Sequence, residues 1–382
     1  MKSNKKIKIV LTGGGTGGHI TPLISVYREL IKLARKKEIE LKFIYIGPTR
    51  NSKGLFSADG IKVWPLFTGR FRRYITPKSI ILNCVDIFKV AFGFLQATTY
   101  LICFRPNIMF SKGGYGSFPT TVVAWLLKIP VVIHESDSIP GATNRFLSEF
   151  AKKIIVSFPG KYKQLPNKKI VELGTPLRDM FGIGKKESKK LLNLEDIEPI
   201  IFVTGASQGA EQINQLIFKN LENLIKKYEI IHQVGDKNYK KVKQQTEKLS
   251  FYNSNRYHIY PYLNEKKMIA AYVAADLVIS RASSTNIFEI AVLGKPSILI
   301  PLPTSSAGHQ LKNAQIYEEA GACIVLNPFS VTANQLLNIV NQLIADEQRL
   351  QTMSEAALLF SKPNAAQDIA KLILKTVYDK QK

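Results

Sequence analysis

Cysteine is scarce in this chain of 382 residues, and its distribution excludes two kinds of site. The three cysteines, Cys84, Cys103 and Cys323, are far apart, odd in number and without the short spacing of metal ligands. Disulfide-held secreted domains carry an even, dense set of cysteines, and zinc sites use closely spaced pairs. The sequence therefore predicts neither a disulfide framework nor a zinc site, and it suits a reducing compartment.

Long apolar segments are also missing. The most apolar uncharged stretch, Val90 to Phe104, contains Gly, Gln and Thr and is shorter than the about 20 residues that cross a bilayer. A longer uncharged run, Ala320 to Ala345, is interrupted by Asn, Gln and Pro. The Lys-rich start resembles a signal peptide, but the apolar run after it extends only from Ile7 to Leu11. The sequence predicts no membrane-spanning segment.

Acidic residues are few compared with basic ones. The chain has 29 Asp and Glu against 53 Lys and Arg, which gives a formal net charge of +24. Such an excess favours an anionic partner: nucleic acid, an acidic lipid surface or a phosphorylated substrate. Hydrophobic content of 45% is ordinary for a globular protein, and the length predicts two or three domains.

A strand, a turn and a helix are predicted at the start of the chain. Apolar residues from Ile7 to Leu11 lead into the glycine-rich turn 13–18, and an apolar helical pattern follows from Leu23 to Leu33. Glycines permit close approach of the backbone. Free N–H groups at a helix start, with the helix dipole behind them, attract a phosphate or an oxyanion. The turn is therefore predicted to bind an anion.

Three interpretations of this turn are separated by the motif residues that the sequence lacks around it. Three of its glycines match the dinucleotide-binding spacing, but the second strand, which ends at Ile46, is not followed by the carboxylate that would bind a ribose. A P-loop is excluded, because His19 and Ile20 stand where Lys and Ser or Thr are required. The third interpretation makes His19 a general base for a sugar hydroxyl. The alternative is a tight turn in which His19 only begins a helix.

Strand and helix patterns alternate along the chain, which predicts an α/β fold with parallel sheets. In the first half the predicted strands are Ile7 to Leu11, Leu41 to Ile46, Ile61 to Trp64, Ile108 to Phe110, Val131 to His134 and Lys153 to Val156. The pattern pauses near Gly174 and restarts at Pro199 with another strand and glycine turn. Later strands are predicted at Ile230 to Val234, Tyr257 to Tyr260, Leu277 to Ser280, Ser297 to Pro301 and Cys323 to Leu326. We expect domains at 1–173 and 174–362, with a helix in 363–382 that crosses back to the first.

Two further polar loops follow predicted strands of the first domain. They are residues 111–119, which are rich in glycine, and residues 134–144. Because the carboxyl ends of parallel strands meet at one edge of a sheet, both loops can face the same pocket as the first glycine turn. Each loop alone is ordinary, but three together favour a binding site.

Residues 68–78 form a basic segment with interleaved aromatic residues. Its cations are Arg70, Arg72, Arg73 and Lys78, and a long apolar helix is predicted after it, from Ser79 to Phe104. Cations beside large apolar side chains suit the edge of an anionic membrane. The alternative is a solvated basic loop before a buried crossover helix.

Glu289 has two interpretations. With Asn286 as the helix N-cap, it approximates a capping box. It can also accept hydrogen bonds from both hydroxyls of a ribose, since it is predicted at the carboxyl edge of the second sheet.

Seven blocks of residues, in one order and across nearly the whole chain, resemble the MurG family of bacterial peptidoglycan glycosyltransferases, within glycosyltransferase family 28. The blocks are residues 13–19 (GGGTGGH), 113–115 (GGY), 134–135 (HE), 141–144 (GATN), 207–210 (SQGA), 281–282 (RA) with Glu289, and 309–314 (HQLKNA).

The resemblance implies the GT-B fold, in which two Rossmann-like α/β domains with parallel sheets face a cleft. It also implies transfer of N-acetylglucosamine from UDP-N-acetylglucosamine to the 4-hydroxyl of the muramyl sugar of lipid I, undecaprenyl-diphospho-MurNAc-pentapeptide, with inversion, giving lipid II. The first domain would bind the acceptor and the anionic cytoplasmic face of the cell membrane, as a peripheral protein, and the second domain the UDP-sugar. Further partners would be cell-wall synthesis proteins; nucleic acid is not expected.

No cofactor and no metal are expected. The sequence has no Asp-x-Asp pair placed to hold an ion on the diphosphate, and helix-start amides can neutralise that charge instead.

The family's site residues can be carried over by matching blocks. His19 would be the base or would orient the acceptor, with Asp137 as its rival for the base, and Tyr115 and Asp137 would line the cleft. The other substrate-binding candidates are Thr16, Gly17, Gly18, Asn144, Arg178, Ser207, Gln208, Gly209, Leu263, Thr285, Glu289, His309, Gln310 and Asn313. The membrane-contact candidates are Arg70, Arg72, Arg73 and Lys78.

This sequence departs from the family pattern at three places. Asp137 stands where the family often has Asn, His309 where it has Gln, and the segment before Met268 is longer. Two other functions compete: a GT-B enzyme with another lipid acceptor, such as diacylglycerol, and a non-catalytic nucleic-acid-binding protein. The second would need basic residues interleaved with stacking aromatics, which occur only from Arg70 to Tyr74.

Overall fold

The computed structural model describes residues 6–14, 17–49, 53–69, 76–195, 199–205, 210–247 and 255–379. The chain divides into two compact units. The first unit is Met1–Arg178 with Pro363–Lys382, and the second is Asp179–Lys362.

The first unit alternates strands and helices. Its strands are β1 (Lys6–Thr12), β2 (Glu40–Gly47), β3 (Lys62–Pro65), β4 (Ile108–Ser111), β5 (Val131–Glu135), β6 (Lys153–Val156) and β7 (Ile170–Glu172). Its helices up to this point are α1 (Gly17–Lys36), α2 (Lys53–Ala58), α3 (Pro77–Phe104), α4 (Phe118–Leu126) and α5 (Ala142–Ser148). Six of these strands are predicted from the sequence, and β7 is not, because it has only three residues, none of them fully buried.

The seven strands form one parallel sheet in the order β3-β2-β1-β4-β5-β6-β7. The strand order reverses between β1 and β4, where Leu11 pairs with Phe110 and Thr12 with Ser111. Open parallel sheets bind ligands at the carboxyl end of such a reversal. The glycine turn after β1 and the glycine-rich loop after β4 therefore lie at the expected ligand position.

Apolar side chains cover both faces of this sheet. On one face, Leu23 and Leu30 of α1 pack with Ile9 and Leu11 of β1. On the opposite face, Ala97 and Leu101 of α3 pack with the apolar side chains that the strands direct to that face. Burial on both faces explains why the strands read as nearly continuous apolar runs.

Helix α3 contacts its unit along a narrow stripe. Thr76 caps it in a capping box with Ser79. Its buried residues recur at Ser79, Asp86, Gly93, Ala97 and Leu101, which is one face of a helix.

The opposite face of α3 is apolar and exposed, so the alternative of a buried crossover helix is wrong. Its exposed large side chains include Ile81 at 66%, Phe88 at 76% and Leu95 at 66%.

The sequence predicted an apolar stretch of only Val90 to Phe104, which is too short to span a bilayer; the helix that contains it is longer, and by length and composition alone it could cross one. Ser79–Phe104 has 26 helical residues, a mean hydropathy of 1.6 in its most apolar window and 17% of that window buried. The apolar pattern extends before Val90, where Asp86 and Lys89 are the charged residues after Ser79 and pair with each other at 3.2 Å.

The second unit repeats the alternation. Its strands are β8 (Ile200–Thr204), β9 (Glu229–Gln233), β10 (Tyr257–Tyr260), β11 (Leu277–Ser280), β12 (Ser297–Leu299) and β13 (Cys323–Val325). Its helices are α6 (Lys185–Leu192), α7 (Glu211–Lys219), α8 (Leu221–Ile225), α9 (Asp236–Glu247), α10 (Glu265–Ala274), α11 (Ser284–Val292), α12 (His309–Glu319), α13 (Ala333–Ala345) and α14 (Glu347–Phe360). The strands form a parallel sheet in the order β10-β9-β8-β11-β12-β13, and its order reverses between β8 and β11.

The last helix, α15 (Ala365–Asp379), belongs to the first unit. Its residues Ile369, Ile373 and Val377 are buried in the same apolar cluster as Ile9 and Leu30. The predicted α/β class is confirmed in both units, each of which carries a parallel sheet.

The first unit extends to Arg178, a few residues beyond the end placed at 173 from the sequence. Two side chains explain the extension. Thr175 donates a hydrogen bond to Ser157 at 2.8 Å, and His134 bonds through Nε2 to the carbonyl of Gly174 at 3.0 Å. Arg178 is therefore the end of the first unit rather than a residue of the second.

Candidate active site

His19 lies in the first turn of α1, and two glycine backbones enclose its ring. A Cβ atom added to Gly14 would lie 3.2 Å from Nδ1, and one added to Gly114 would lie 3.2 Å from Nε2. Gly114 has φ of +79°, which also favours glycine. The turn after β1 and the loop after β4 thus meet around the imidazole.

The environment of His19 favours its neutral form. Burial among protein atoms, and then the charge of Lys112, lower the pKa of His19 to about 3. Part of the side chain is still accessible to solvent. The ring is unprotonated at neutral pH and can accept a proton.

A buried carboxylate organises the loop after β5. Glu135 accepts hydrogen bonds from the backbone N–H groups of Asp137 and Gly141, both at 3.0 Å, and from the amide of Asn144 at 2.9 Å. Burial, and then the charge of Asp137, raise the pKa of Glu135. Asn144 in turn packs against Gly113, which has φ of +76°. The loops after β4 and β5 are locked together by these contacts.

The other predicted residues of the first unit are placed as follows. Gly17 and Gly18 begin α1, Tyr115 begins a short 3₁₀ turn, and Asp137 is half-buried. Thr16 lies outside the described residues. Among the described candidates, His19, Tyr115, Asp137 and Asn144 share the carboxyl edge near the β1/β4 reversal.

Sequence reasoning missed Lys112 and Glu135 as parts of this site. Both are nearly inaccessible, at 2% and 4% exposure. A signal was available in the sequence, because both are charged residues in the two loops that were predicted to face the ligand pocket.

In the second unit Glu289 is buried on α11, at 2% exposure. The capping-box interpretation of this residue is wrong. The N-cap is Ser283, whose hydroxyl accepts from the backbone N–H of Asn286 at 3.4 Å. Glu289 therefore lies in the second turn, too far along the helix to cap it.

The remaining second-unit candidates also follow strands at the carboxyl edge. Leu263 follows β10 and is 1% exposed, and Thr285 is in the first turn of α11. His309, Gln310 and Asn313 lie on α12, which follows β12. Gln310 accepts from the backbone N–H of Leu302 at 2.9 Å, so its amide N–H groups point elsewhere.

Arg281, at the end of β11, is a buried cation that sequence reasoning did not assign to the site. It is 6% exposed and donates to the carbonyls of Ile300 and Pro301 at 3.0 and 2.8 Å and to Gln212 at 3.2 Å. Burial lowers its pKa to about 10, so it is charged at neutral pH. It adds positive charge at the carboxyl end of β11, which pairs with β8.

Several predicted residues cannot be placed. Ser207, Gln208 and Gly209, with Arg70, Arg72 and Arg73, lie outside the described residues, and of Lys78 only the helical backbone of α3 is described. Within the described ranges no group of three His, Cys, Asp or Glu side chains is arranged to hold a metal ion.

Two family domains match this chain. The glycosyltransferase family 28 N-terminal domain matches residues 9–156, and its C-terminal domain matches residues 200–373. Curated relatives named "UDP-N-acetylglucosamine--N-acetylmuramyl-(pentapeptide) pyrophosphoryl-undecaprenol N-acetylglucosamine transferase" match nearly full length. The one from Clostridium tetani is 36% identical over 90% of this chain and 92% of its own, and the one from Treponema denticola is 34% identical over 93% and 94%.

Solved structures share the fold. The MurG of Acinetobacter baumannii superposes with a TM-score of 0.72 at 24% identity, over 97% of this chain and 99% of its own. The UDP-GlcNAc 2-epimerase of Neisseria meningitidis, bound to UDP-GlcNAc, gives 0.64 at 15% identity over 97% and 100%. The two parallel-sheet units confirm the predicted GT-B class, and the chain belongs to glycosyltransferase family 28.

Proposed function

We propose that this protein transfers N-acetylglucosamine from UDP-N-acetylglucosamine to the 4-hydroxyl of the muramyl sugar of lipid I, with inversion, and so forms lipid II. The observation that carries the proposal is the neutral imidazole of His19, enclosed by two glycine loops at the strand-order reversal. The activity for which the curated relatives are named supplies the substrates.

His19 acts as the general base. The acceptor hydroxyl attacks the anomeric carbon as the bond to UDP breaks, and its proton passes to the imidazole. Because the pKa of His19 is about 3, the ring is unprotonated at neutral pH and holds a proton only weakly. It accepts the proton only when the attacking oxygen has become acidic by bonding to carbon. Asp137, on the same edge of the sheet, is the alternative base.

The second unit binds the donor. Glu289 accepts hydrogen bonds from the ribose hydroxyls. The amides that precede α7, beginning with Ser207, and the buried charge of Arg281 stabilise the diphosphate and then the UDP that leaves.

The protein binds the cytoplasmic face of the bacterial membrane peripherally, through α3. Its exposed apolar face continues into an aromatic surface. Phe94 of α3 contacts Phe118 of α4, with ring centroids 5.8 Å apart, and Phe118 contacts Phe146 of α5 at 5.7 Å. Trp125, 47% exposed, lies at the end of α4. An exposed surface this apolar is typical of contact with a membrane or a protein partner. Because the proposed acceptor is a lipid, we assign the surface to the membrane.

Release of UDP from UDP-N-acetylglucosamine tests this function, measured with no acceptor, with a lipid I analogue and with diacylglycerol. We expect release only with the lipid I analogue. Release with diacylglycerol alone would identify another lipid glycosyltransferase, and no release with either acceptor would overturn the proposal.

A further inference from the structure

The buried side chain of Lys112 has no part in the reaction described so far. Lys112 follows β4, is 2% exposed, and its ammonium donates a hydrogen bond to the hydroxyl of Ser136, after β5. Lysine is almost never buried to this degree unless its charge is compensated, since the ammonium loses its hydration. The position needs a reason beyond packing.

Lys112 lies beside His19. A Cβ atom added to Gly13 would be 3.2 Å from Cβ of Lys112 and 3.7 Å from Cβ of His19, so both side chains start next to the same turn. The backbone N–H of Lys112 donates to the carbonyl of Thr12 at 2.8 Å, which ties the ends of β4 and β1. Lys112 is therefore built into the reversal point of the sheet.

Among the described residues, four titratable groups face Lys112. They are His19 from the turn after β1, His134 and Glu135 from β5, and Asp137 from the loop that follows. Burial lowers the pKa of Lys112, the two carboxylates raise it, and the result is about 8. The ammonium is mostly protonated at neutral pH and loses its proton in mild alkali.

We propose that Lys112 is a positioning residue of the acceptor site, whose charged ammonium holds the Glu135–Asp137 segment against the two glycine loops that enclose His19. The inference rests on the proposed function. Through Ser136 the ammonium fixes the backbone that carries Asp137, and through its charge it offsets the buried Glu135. It acts on the acceptor only through these neighbours.

The test measures kcat/KM for a lipid I analogue, at saturating UDP-N-acetylglucosamine, from about pH 6 to about pH 10. In the wild type we expect kcat/KM to fall as the pH rises through about 8. Lys112→Met keeps the unbranched chain without the charge. It is expected to abolish that alkaline limb and to lower kcat/KM for the acceptor by about tenfold or more, the loss of one hydrogen bond from a charged group. The KM for the donor should stay unchanged.

Lys8→Met is the matched control. Lys8, in β1, donates to the carbonyl of Phe104 at 2.9 Å. It lies near the amino-terminal end of its strand, away from the carboxyl edge of the sheet that carries the site. It should keep the wild-type profile. Ser136→Ala removes the hydroxyl that accepts the hydrogen bond but keeps the charge of Lys112. It should therefore raise the KM for the lipid I analogue and retain the alkaline limb of the pH profile.

A wild-type profile without the limb overturns the inference, and this measurement needs no variant. A Lys112→Met profile parallel to the wild type overturns it as well. If Lys112→Met does not fold, an unchanged acceptor KM in Ser136→Ala overturns it. Failure of the proposed function gives a different result from failure of this inference, because the wild type would then release no UDP with lipid I.

Discussion

Gly114 lies against the imidazole of His19, since a Cβ added at Gly114 would be only 3.2 Å from Nε2. The neighbouring strands β1 and β4 thereby present two glycine backbones to one histidine. The position of the ring depends on the lack of a side chain at both glycines. Adding a methyl group to either glycine is therefore a direct way to move the ring.

The first prediction concerns Gly14→Ala. The new methyl group would lie 3.2 to 3.3 Å from three ring atoms of His19, so the ring must shift by a few tenths of an ångström. We expect kcat to fall by about tenfold or more, because small misplacements of a catalytic group can cost up to about a hundredfold. The measurement is kcat beside the melting temperature.

Gly54→Ala is the matched control, because nothing lies within 4 Å of the added methyl group. It should leave kcat unchanged. Equal kcat values for Gly14→Ala and Gly54→Ala would show that the ring position is not critical.

The second prediction concerns His19 itself. His19→Ala should lower kcat by about 100-fold to 10,000-fold, the contribution of a general base, and leave UDP affinity unchanged. The pKa is lowered from 6.5 to about 3, so protonation removes the base only as the pH falls toward 3. The wild-type kcat should therefore show no loss from His19 between about pH 8 and about pH 5.

Rate profiles and titration calorimetry with UDP check both statements. An acidic limb near pH 6.5 that disappears in His19→Ala would mean that the ring is solvated. Retention of more than about a tenth of kcat in His19→Ala would make it a positioning residue, with Asp137 the next residue to mutate.

The sequence predicted the sheet and the glycine turns because both depend on local patterns. Apolar runs such as Ile200–Thr204 and the glycines before His19 are visible without tertiary contacts. The role of Lys112 was not predictable, because its burial depends on β5, which is distant in sequence. The N-cap of α11 was misplaced for another reason: Ser283 and Asn286 are both good capping residues, and only the backbone geometry decides between them. The exposure of α3 depends on what packs on it, which hydropathy does not report.

The third prediction separates donor binding from helix capping. Glu289→Ala should raise the donor KM more than Glu289→Gln, because the amide oxygen still accepts one ribose hydrogen bond. Neither change should remove a helix cap. Ser283→Ala is the control, since loss of the true N-cap should cost about 1 kcal/mol of stability with little effect on the donor KM. If Glu289→Ala loses stability and keeps its donor KM, Glu289 is structural.

The fourth prediction is independence from divalent metal. Helix-start amides and the charge of Arg281 can neutralise the diphosphate, so EDTA should leave the rate of UDP release unchanged. Arg281→Gln should lower that rate without creating a metal requirement. Loss of most activity in EDTA, with recovery on adding magnesium or manganese, would contradict this prediction.

The fifth prediction concerns membrane binding. Replacing Ile81, Phe88 and Leu95 by Ser should weaken co-sedimentation with anionic vesicles by about tenfold per residue, since full burial of each apolar side chain contributes about 1.5 kcal/mol or more. Replacing Arg70, Arg72 and Arg73 by Ala should remove roughly 3 kcal/mol, at about 1 kcal/mol per cation.

These two contributions respond differently to salt, which screens charges but not apolar burial. High salt should therefore abolish the effect of the arginine substitutions and preserve that of the α3 substitutions. Leu359→Ser is the control, because Leu359 is 87% exposed on α14 of the second unit and should not affect binding. All variants should retain turnover with a water-soluble acceptor analogue. If the α3 variant binds vesicles as tightly as the Leu359→Ser control, the exposed face of α3 does not enter the membrane, and attachment rests on charge alone.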